Sequence, residues 1–223
     1  MLMALGVELP RKVYAHGWWT VNGDKMSKSR GNFIKAEDVV KDYGVDALRY
    51  FLFREVAFGQ DGDFSMDAFH RRYNADLAND LGNLFSRVMN MAAKYLDNRL
   101  PAKPEESETF RELSSWTPAI HRSLEALQFS DALEKIWQGV GALNRLVDAK
   151  KPWALAKTDP AALKAFLHEL IWCLRLIAAW IDPFMPDTAS RMQLELGVSR
   201  PADGTEPQKV PPLFPRKQDD KPK

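Results

Sequence analysis

The sequence predicts a mainly α protein: a bundle of long amphipathic helices from Ser65 onward, preceded by a small α/β segment. Three observations carry that expectation. Leu77, Leu81, Leu84, Val88, Met91 and Tyr95 recur at intervals of three and four, which sets them on one stripe of a helix. Thr117-Pro118 and Asp159-Pro160 each pair a capping side chain with a proline, whose fixed φ suits a first helical turn. Lys12–His16 and Trp18–Val21 are short apolar runs that lead into the turn dipeptide Asn22-Gly23, and such runs read as strands.

Composition bounds the possibilities. A chain of 223 residues with 45% hydrophobic content can bury a substantial core in one or two domains. The formal net charge of +1 gives no global attraction to nucleic acid, so RNA binding has to come from local patches, and nothing points to DNA. The single cysteine, Cys173, lies in the apolar run Leu170–Leu174 and reads as a buried thiol; no disulfide or zinc site can be built from it. No charged-then-apolar leader opens the chain, and Arg175, Asp182 and prolines interrupt its apolar stretches. The expectation is a soluble protein of a reducing, cytoplasmic compartment without a membrane span.

Taken in order, residues 1–10 read as the end of an apolar helix closed by Gly6 and Pro10. The runs 12–16 and 18–21 read as buried strands with no visible partners. Residues 36–43 have helical spacing, with Gly44 as the stop and Asp46 as the cap of a following apolar helix over 47–53. Gly59–Ser65 reads as a tight acidic turn. From Ser65, an N-cap, the leucine stripe begins; Asn83 and Arg87, four apart, lie beside it and face water. Pro101–Glu108 is a polar linker, and a helix runs from Thr117 to about Gln128. Ser130 caps the next, which buries Leu133, Ile136, Trp137, Val140, Leu143 and Val147. Gly139 and Gly141 each cost roughly 1 kcal/mol in a helix relative to alanine, which asks for a closely packed neighbour. Lys150-Lys151-Pro152-Trp153 stops that helix and aims Trp153 in one direction. The last long helix opens at Asp159-Pro160 and runs to Asp182-Pro183, and a short one over 186–196 ends at Gly197. The tail beyond Arg200 is low in complexity: residues 210–215 carry apolar groups that can pack back on the body, and 217–223 are expected to be disordered. There is no internal repeat.

The chemistry concentrates between Gly23 and Gly31, where three cations, Lys25, Lys28 and Arg30, share a loop with the hydroxyls of Ser27 and Ser29. Taken alone, Lys-x-x-Lys is a solvated hairpin tip. With a glycine at each end it can also swing ammonium groups onto a polyphosphate, where charge builds up during nucleotidyl transfer. The whole string, Lys25-Met26-Ser27-Lys28-Ser29 after His16-Gly17 and Val21-Asn22-Gly23 and before Gly31-Asn32, resembles the signature loop of class I aminoacyl-tRNA synthetases. In detail it is most similar to the methionyl-tRNA synthetase family.

That resemblance, covering residue 1 to about 215, implies several things. Lys28 would hold the ATP triphosphate during attack on the α phosphorus, and Lys25, Met26, Ser27 and Ser29 would shape the loop; ATP with Mg2+ would be the substrate pair. Residues 1–64 would be the end of a Rossmann-type catalytic domain, 65–198 a helical anticodon-binding domain, and 199–223 a proline-rich tail. The His-x-Gly-His motif, the methionine pocket and the zinc-binding insertion of the family are not found, so this chain alone is expected to be inactive. Asn83 with Arg87 on one helix, and Trp153 after Pro152, match the residues that contact the CAU anticodon of the methionine tRNA in the family. Such a loop offers unstacked bases, which an indole can stack on and which Asn and Arg can read. Lys150, Lys151, Arg71 and Arg72 are candidates for backbone phosphates or simply for solubility. Two alternatives stay open: another class I synthetase, such as the cysteinyl or leucyl enzyme, and a non-catalytic RNA-binding module derived from a synthetase.

Overall fold

The computed structural model describes residues 2–21, 23–27, 29, 31–96, 107–197 and 211–218. Apolar periodicity becomes helix close to the expected bounds. Helix α1 (Ala36–Tyr43) ends at Gly44, whose φ of 88° lets the chain turn directly into α2 (Val45–Glu55). Ser65 caps α3 (Met66–Arg72) by accepting the Ala68 N–H at 3.1 Å. The helical run continues through a π-helical segment (Tyr73–Gly82) into α4 (Asn83–Tyr95). Then come α5 (Glu108–Ser114), α6 (Thr117–Glu125), α7 (Phe129–Lys150), α8 (Pro152–Thr158), α9 (Pro160–Ile181) and α10 (Pro186–Gly197). Asp159 caps α9, accepting the Ala162 N–H at 2.9 Å.

These helices share one continuous core with the sheet. Leu77, Leu81, Leu84 and Val88 of the expected stripe meet Leu133, Ile136, Val140, Leu143 and Val147 of α7 and Leu163, Leu167, Leu170, Leu174 and Ile177 of α9, all buried. Met91 and Tyr95, nearer the end of the stripe, are only half-buried. Close packing at Gly139 is as expected: a Cβ there would meet Leu113 Cδ1 at 3.0 Å. Gly141 departs from expectation, because its nearest neighbour is the flexible Arg145 side chain of the same helix. Cys173 is buried, and desolvation pushes its thiol up to about 12.

Several expectations are corrected. Asp46 does not cap its own helix. Gly44 already stands at the N-cap of α2, so the buried Asp46 carboxylate turns across the molecule and accepts the Thr188 N–H of α10 at 2.6 Å. Ser130 lies inside α7, whose N-cap is Gln128, and Thr117 is the first residue of α6 after Trp116. The Thr117 hydroxyl instead accepts the Trp180 indole N–H at 3.2 Å. Helices α5 and α8 were unforeseen; each is seven residues long, too short to display a period.

At the N-terminal end, β1 (Trp19–Val21) lies between β2 (Asp24–Lys25), antiparallel to it, and β3 (Gly62–Asp63), parallel to it. The run 18–21 thus gains strand partners, one of them from the stretch that reads as a plain acidic turn. Lys12–His16 forms no strand. It is exposed, with Val13 at 88%, because no described strand offers its backbone a ladder. Of the apolar helix expected over 1–10, the described residues 2–10 form only a single 3-10 turn at Met3–Leu5.

The tail packs back at residues 211–218. Phe214 is buried edge-on to Tyr73, and the Tyr73 hydroxyl donates to the Pro215 carbonyl at 2.9 Å. Lys217 is held rather than loose: its N–H donates to Asn74 Oδ1 and its carbonyl accepts from Asn74 Nδ2, both at 3.0 Å. The rest of the stretch expected to be disordered, 219–223, lies outside the described residues, as does Val210.

Candidate functional site

Two places carry the residues singled out in the sequence. The first is the hairpin β1–β2 and the loop that leaves it. Gly23, at φ 76°, makes the turn. Asp63 on β3 anchors it: Oδ1 accepts the Gly23 N–H at 2.9 Å and the Thr20 hydroxyl at 2.8 Å. These two bonds, the Gly23 one first, hold the Asp63 carboxyl below the usual carboxylate range. Two residues earlier, just before β3, Asp61 Oδ1 accepts the Trp18 N–H at 2.7 Å. The Lys25 ammonium lies 5.5 Å from the centroid of the exposed Trp18 ring, a cation–π contact. Met26 packs half-buried against the core. The Ser27 and Ser29 hydroxyls are 2.8 Å apart, and Asn32 bonds back to the backbone of Ser27 and Lys25. Lys28 and Arg30 lie outside the described residues.

The second place is on the bundle. Asn83 opens α4 and is exposed, and Arg87 follows one turn later, half-buried. Lys151, in the left-handed region at φ 45°, breaks α7 and starts α8 at Pro152, which leaves Trp153 at the start of α8 with 53% of its surface exposed. That exposure rules out a core role for Trp153. The Arg87 guanidinium carbon stands 5.9 Å from the Trp153 ring centroid, and its Nη2–H donates to Asp148 Oδ1 of α7 at 2.8 Å. The structure therefore brings Arg87 and Trp153 together across 66 positions of sequence, with Asn83 a helical turn away on the face that carries Arg87. Nearby, Asp80 is pushed up by burial and then by the Asp76 charge. The Asp80 carbonyl accepts from Asn144 of α7 at 3.2 Å, while Asp76 accepts the Tyr50 hydroxyl at 2.7 Å and an Arg72 N–H at 3.1 Å.

Arg72 also pairs with Glu55 at 2.8 Å, so it acts as a tie between α2 and α3. Lys150 and Lys151 are exposed next to Trp153, and Arg71 is exposed on α3. Among the described residues no cluster of three or more His, Cys, Asp or Glu side chains could hold a metal ion, and no helix is long and apolar enough to cross a membrane.

Two family descriptions tile the sequence: residues 1–89 match "tRNA synthetases class I (M)", and residues 100–210 match the anticodon binding domain of methionyl tRNA ligase. The chain belongs to the methionyl-tRNA synthetase family. Among its relatives, the methionine–tRNA ligase of Caldanaerobacter subterraneus is 45% identical over 89% of this chain and 32% of its own length. That of Bacillus subtilis is 39% identical over 97% of this chain and 36% of its own length. A solved structure, Mycobacterium tuberculosis methionyl-tRNA synthetase in complex with methionyl-adenylate, superposes with a TM-score of 0.77 at 36% identity. It covers 96% of this chain and 46% of that one. The chain thus spans about a third of the length of the curated relatives it matches.

In this member of the methionyl-tRNA synthetase family, sequence reasoning missed the residues that hold the singled-out ones. Asp63 and Asn32 fix the loop, Trp18 receives Lys25, and Asp148 orients Arg87. Only Asn32 sat inside the quoted motif. Asp63 and Asp148 are short polar residues 40 and 61 positions from their partners, Trp18 is a lone aromatic seven residues before Lys25, and no spacing rule links them.

Proposed function

We propose that this chain is the part of a methionine–tRNA ligase that brings the triphosphate-binding loop and the anticodon-reading helices together. In the parent reaction a methionine carboxylate oxygen attacks the α phosphorus of ATP and pyrophosphate leaves. A ribose hydroxyl of the tRNA end then attacks the methionyl carbonyl and AMP leaves. Mg2+ enters with the nucleotide as part of the substrate. The loop's task is electrostatic: Lys28, and Lys25 once it leaves the Trp18 ring, balance charge that grows on the departing pyrophosphate. The helical half would take the tRNA through its CAU anticodon. Trp153 offers a face for one base, and Arg87, held beside it by Asp148, offers donors to a base edge with Asn83 one turn away. A family of this kind works in the cytoplasm.

The observation that carries this reading is the meeting of Arg87 and Trp153 at an exposed surface of a chain matched over residues 1–89 and 100–210 by the two family descriptions. The same meeting favours the methionyl enzyme over another class I synthetase. The test is a division of labour in the full-length protein. Trp153→Ala should weaken binding of a CAU-anticodon tRNA about 5- to 150-fold, the range of one lost base stack, and leave methionine-dependent ATP–pyrophosphate exchange unchanged. Lys28→Ala should slow exchange with little effect on methionine affinity. If both substitutions struck the same step, the two-site reading would be wrong; exchange by this chain alone would refute its description as a part.

A further inference from the structure

We propose that Asn32 is a positioning residue of the Lys25–Ser29 loop, and that its side-chain amide covers the Ser27 backbone N–H until a phosphate oxygen replaces it. The inference deepens the reading of the loop as a triphosphate binder and rests on it. Gly31, at φ 71°, turns the chain back, so that Asn32 returns under the loop it has just left. There its Oδ1 accepts the Ser27 N–H at 2.8 Å while its Nδ2 donates to the Lys25 carbonyl at 3.2 Å. One side chain thereby spans both backbone groups on either side of Met26. The Ser27 and Ser29 hydroxyls, 2.8 Å apart, are bonded to each other in the same arrangement. Among the described residues of the loop, the Ser27 N–H and the Ser27 and Ser29 hydroxyls, groups that could grip an anion, are therefore bonded to the protein itself.

Such an arrangement is poised for exchange. The Ser27 N–H can make one good hydrogen bond, and a neutral amide oxygen now occupies it. A bond from the same N–H to a charged phosphate oxygen is shorter and roughly twice as strong, so triphosphate displaces Asn32 when present and Asn32 restores the resting loop when pyrophosphate leaves. A permanent scaffold would behave differently. If Asn32 kept both bonds throughout the reaction, its loss would loosen the bound loop and raise the KM for ATP. If it competes with phosphate for Ser27, its loss must lower that KM.

The sign of that change is the test. In the full-length protein, Asn32→Ala should lower the KM for ATP in methionine-dependent exchange about threefold to tenfold, the effect of removing one competing hydrogen bond. The KM for methionine and the affinity for tRNA should not move, and both report a folded enzyme. Asn32→Asp should shift the KM upward, since a carboxylate holds the Ser27 N–H more strongly and repels phosphate. In this chain by itself, hydrogen exchange at the Ser27 amide should speed up in Asn32→Ala and slow again on adding inorganic tripolyphosphate. An unchanged or raised ATP KM in Asn32→Ala overturns the proposal while leaving the ligase reading intact. A wild-type enzyme without any exchange would sink the ligase reading instead, and the tripolyphosphate response at Ser27 would still decide the role of Asn32.

Discussion

In the bundle, Leu133, Ile136, Val140, Leu167, Leu170 and Leu174 have essentially no exposed surface, and shape is set by apolar packing. At the hairpin end, Gly23, Lys25 and Ser27 are placed by Asp63 and Asn32 through single hydrogen bonds to backbone groups. Among the described residues, eight of the fourteen large exposed apolar side chains, from Leu2 to Trp18, lie in that end, so burial contributes little there. Hydrogen bonds of this kind are worth about 0.5–1.5 kcal/mol net, each replaceable by a ligand's bond, whereas a buried leucine contributes about 2–5 kcal/mol. On the proposed reading, a loop that exchanges partners during a reaction suits the first kind of structure, and a surface that reads an anticodon suits the second.

The largest expected effect tests the bundle side directly. Leu170→Ala should lower unfolding stability by about 2–5 kcal/mol, because both the transfer energy and the cavity are lost at a fully buried site. Leu9→Ala, on an exposed residue of the hairpin end, should stay within about 0.5 kcal/mol. Urea unfolding of this chain measures both. Equal losses would mean that the hairpin end has a core of its own and the contrast is false.

Which parts of this were legible in the sequence follows the same division. Patterned burial shows in sequence, so α1, α4, α7, α9 and α10 appear at nearly the expected positions, and the caps at Ser65 and Asp159 follow from side-chain chemistry within three residues. Contacts between distant polar groups leave no pattern. Asp46 looks like a local cap, yet its partner is Thr188, 142 positions away. The acidic turn at 59–65 hides β3 because a two-residue strand has no alternation to show. At the sites, Lys25, Asn83, Arg87 and Trp153 could be named through the resemblance, but their geometry depends on Trp18, Asp148 and Asp63, which had no motif to mark them.

Asp46 gives the intermediate case, a directional bond inside the core. Its Oδ2 accepts the Thr188 N–H while Oδ1 is buried without a partner, so the carboxylate caps α10 at some desolvation penalty. Asp46→Ala should cost about 1–2 kcal/mol, the worth of a cap, and the loss should appear as faster amide exchange in the first turn of α10. Asp46→Asn should recover part of it, since an amide oxygen can still accept. No loss at all would mean that the unpartnered oxygen cancels the cap.

The smallest effect concerns acid. Asp63 has its carboxyl pulled below 3.8 by the Gly23 N–H and then by the Thr20 hydroxyl, with slight desolvation opposing. Because the folded value lies below the unfolded one, its contribution to the hairpin is fully present above pH 3.8 and is lost as the pH falls through the folded value. The bundle has an acid-sensitive contact too, at Asp131, lowered by Lys135 and then Ser123, so a global melting curve would mix the two. The readout must be local. The Gly23 amide resonance should move as the pH drops below 3.8 while core methyl groups of α9 stay in place, and Asp63→Asn should abolish that movement. A Gly23 resonance insensitive to acid in the wild type would show that the hairpin holds without its carboxylate, and the opposition between a bonded end and a packed end would lose its sharpest support.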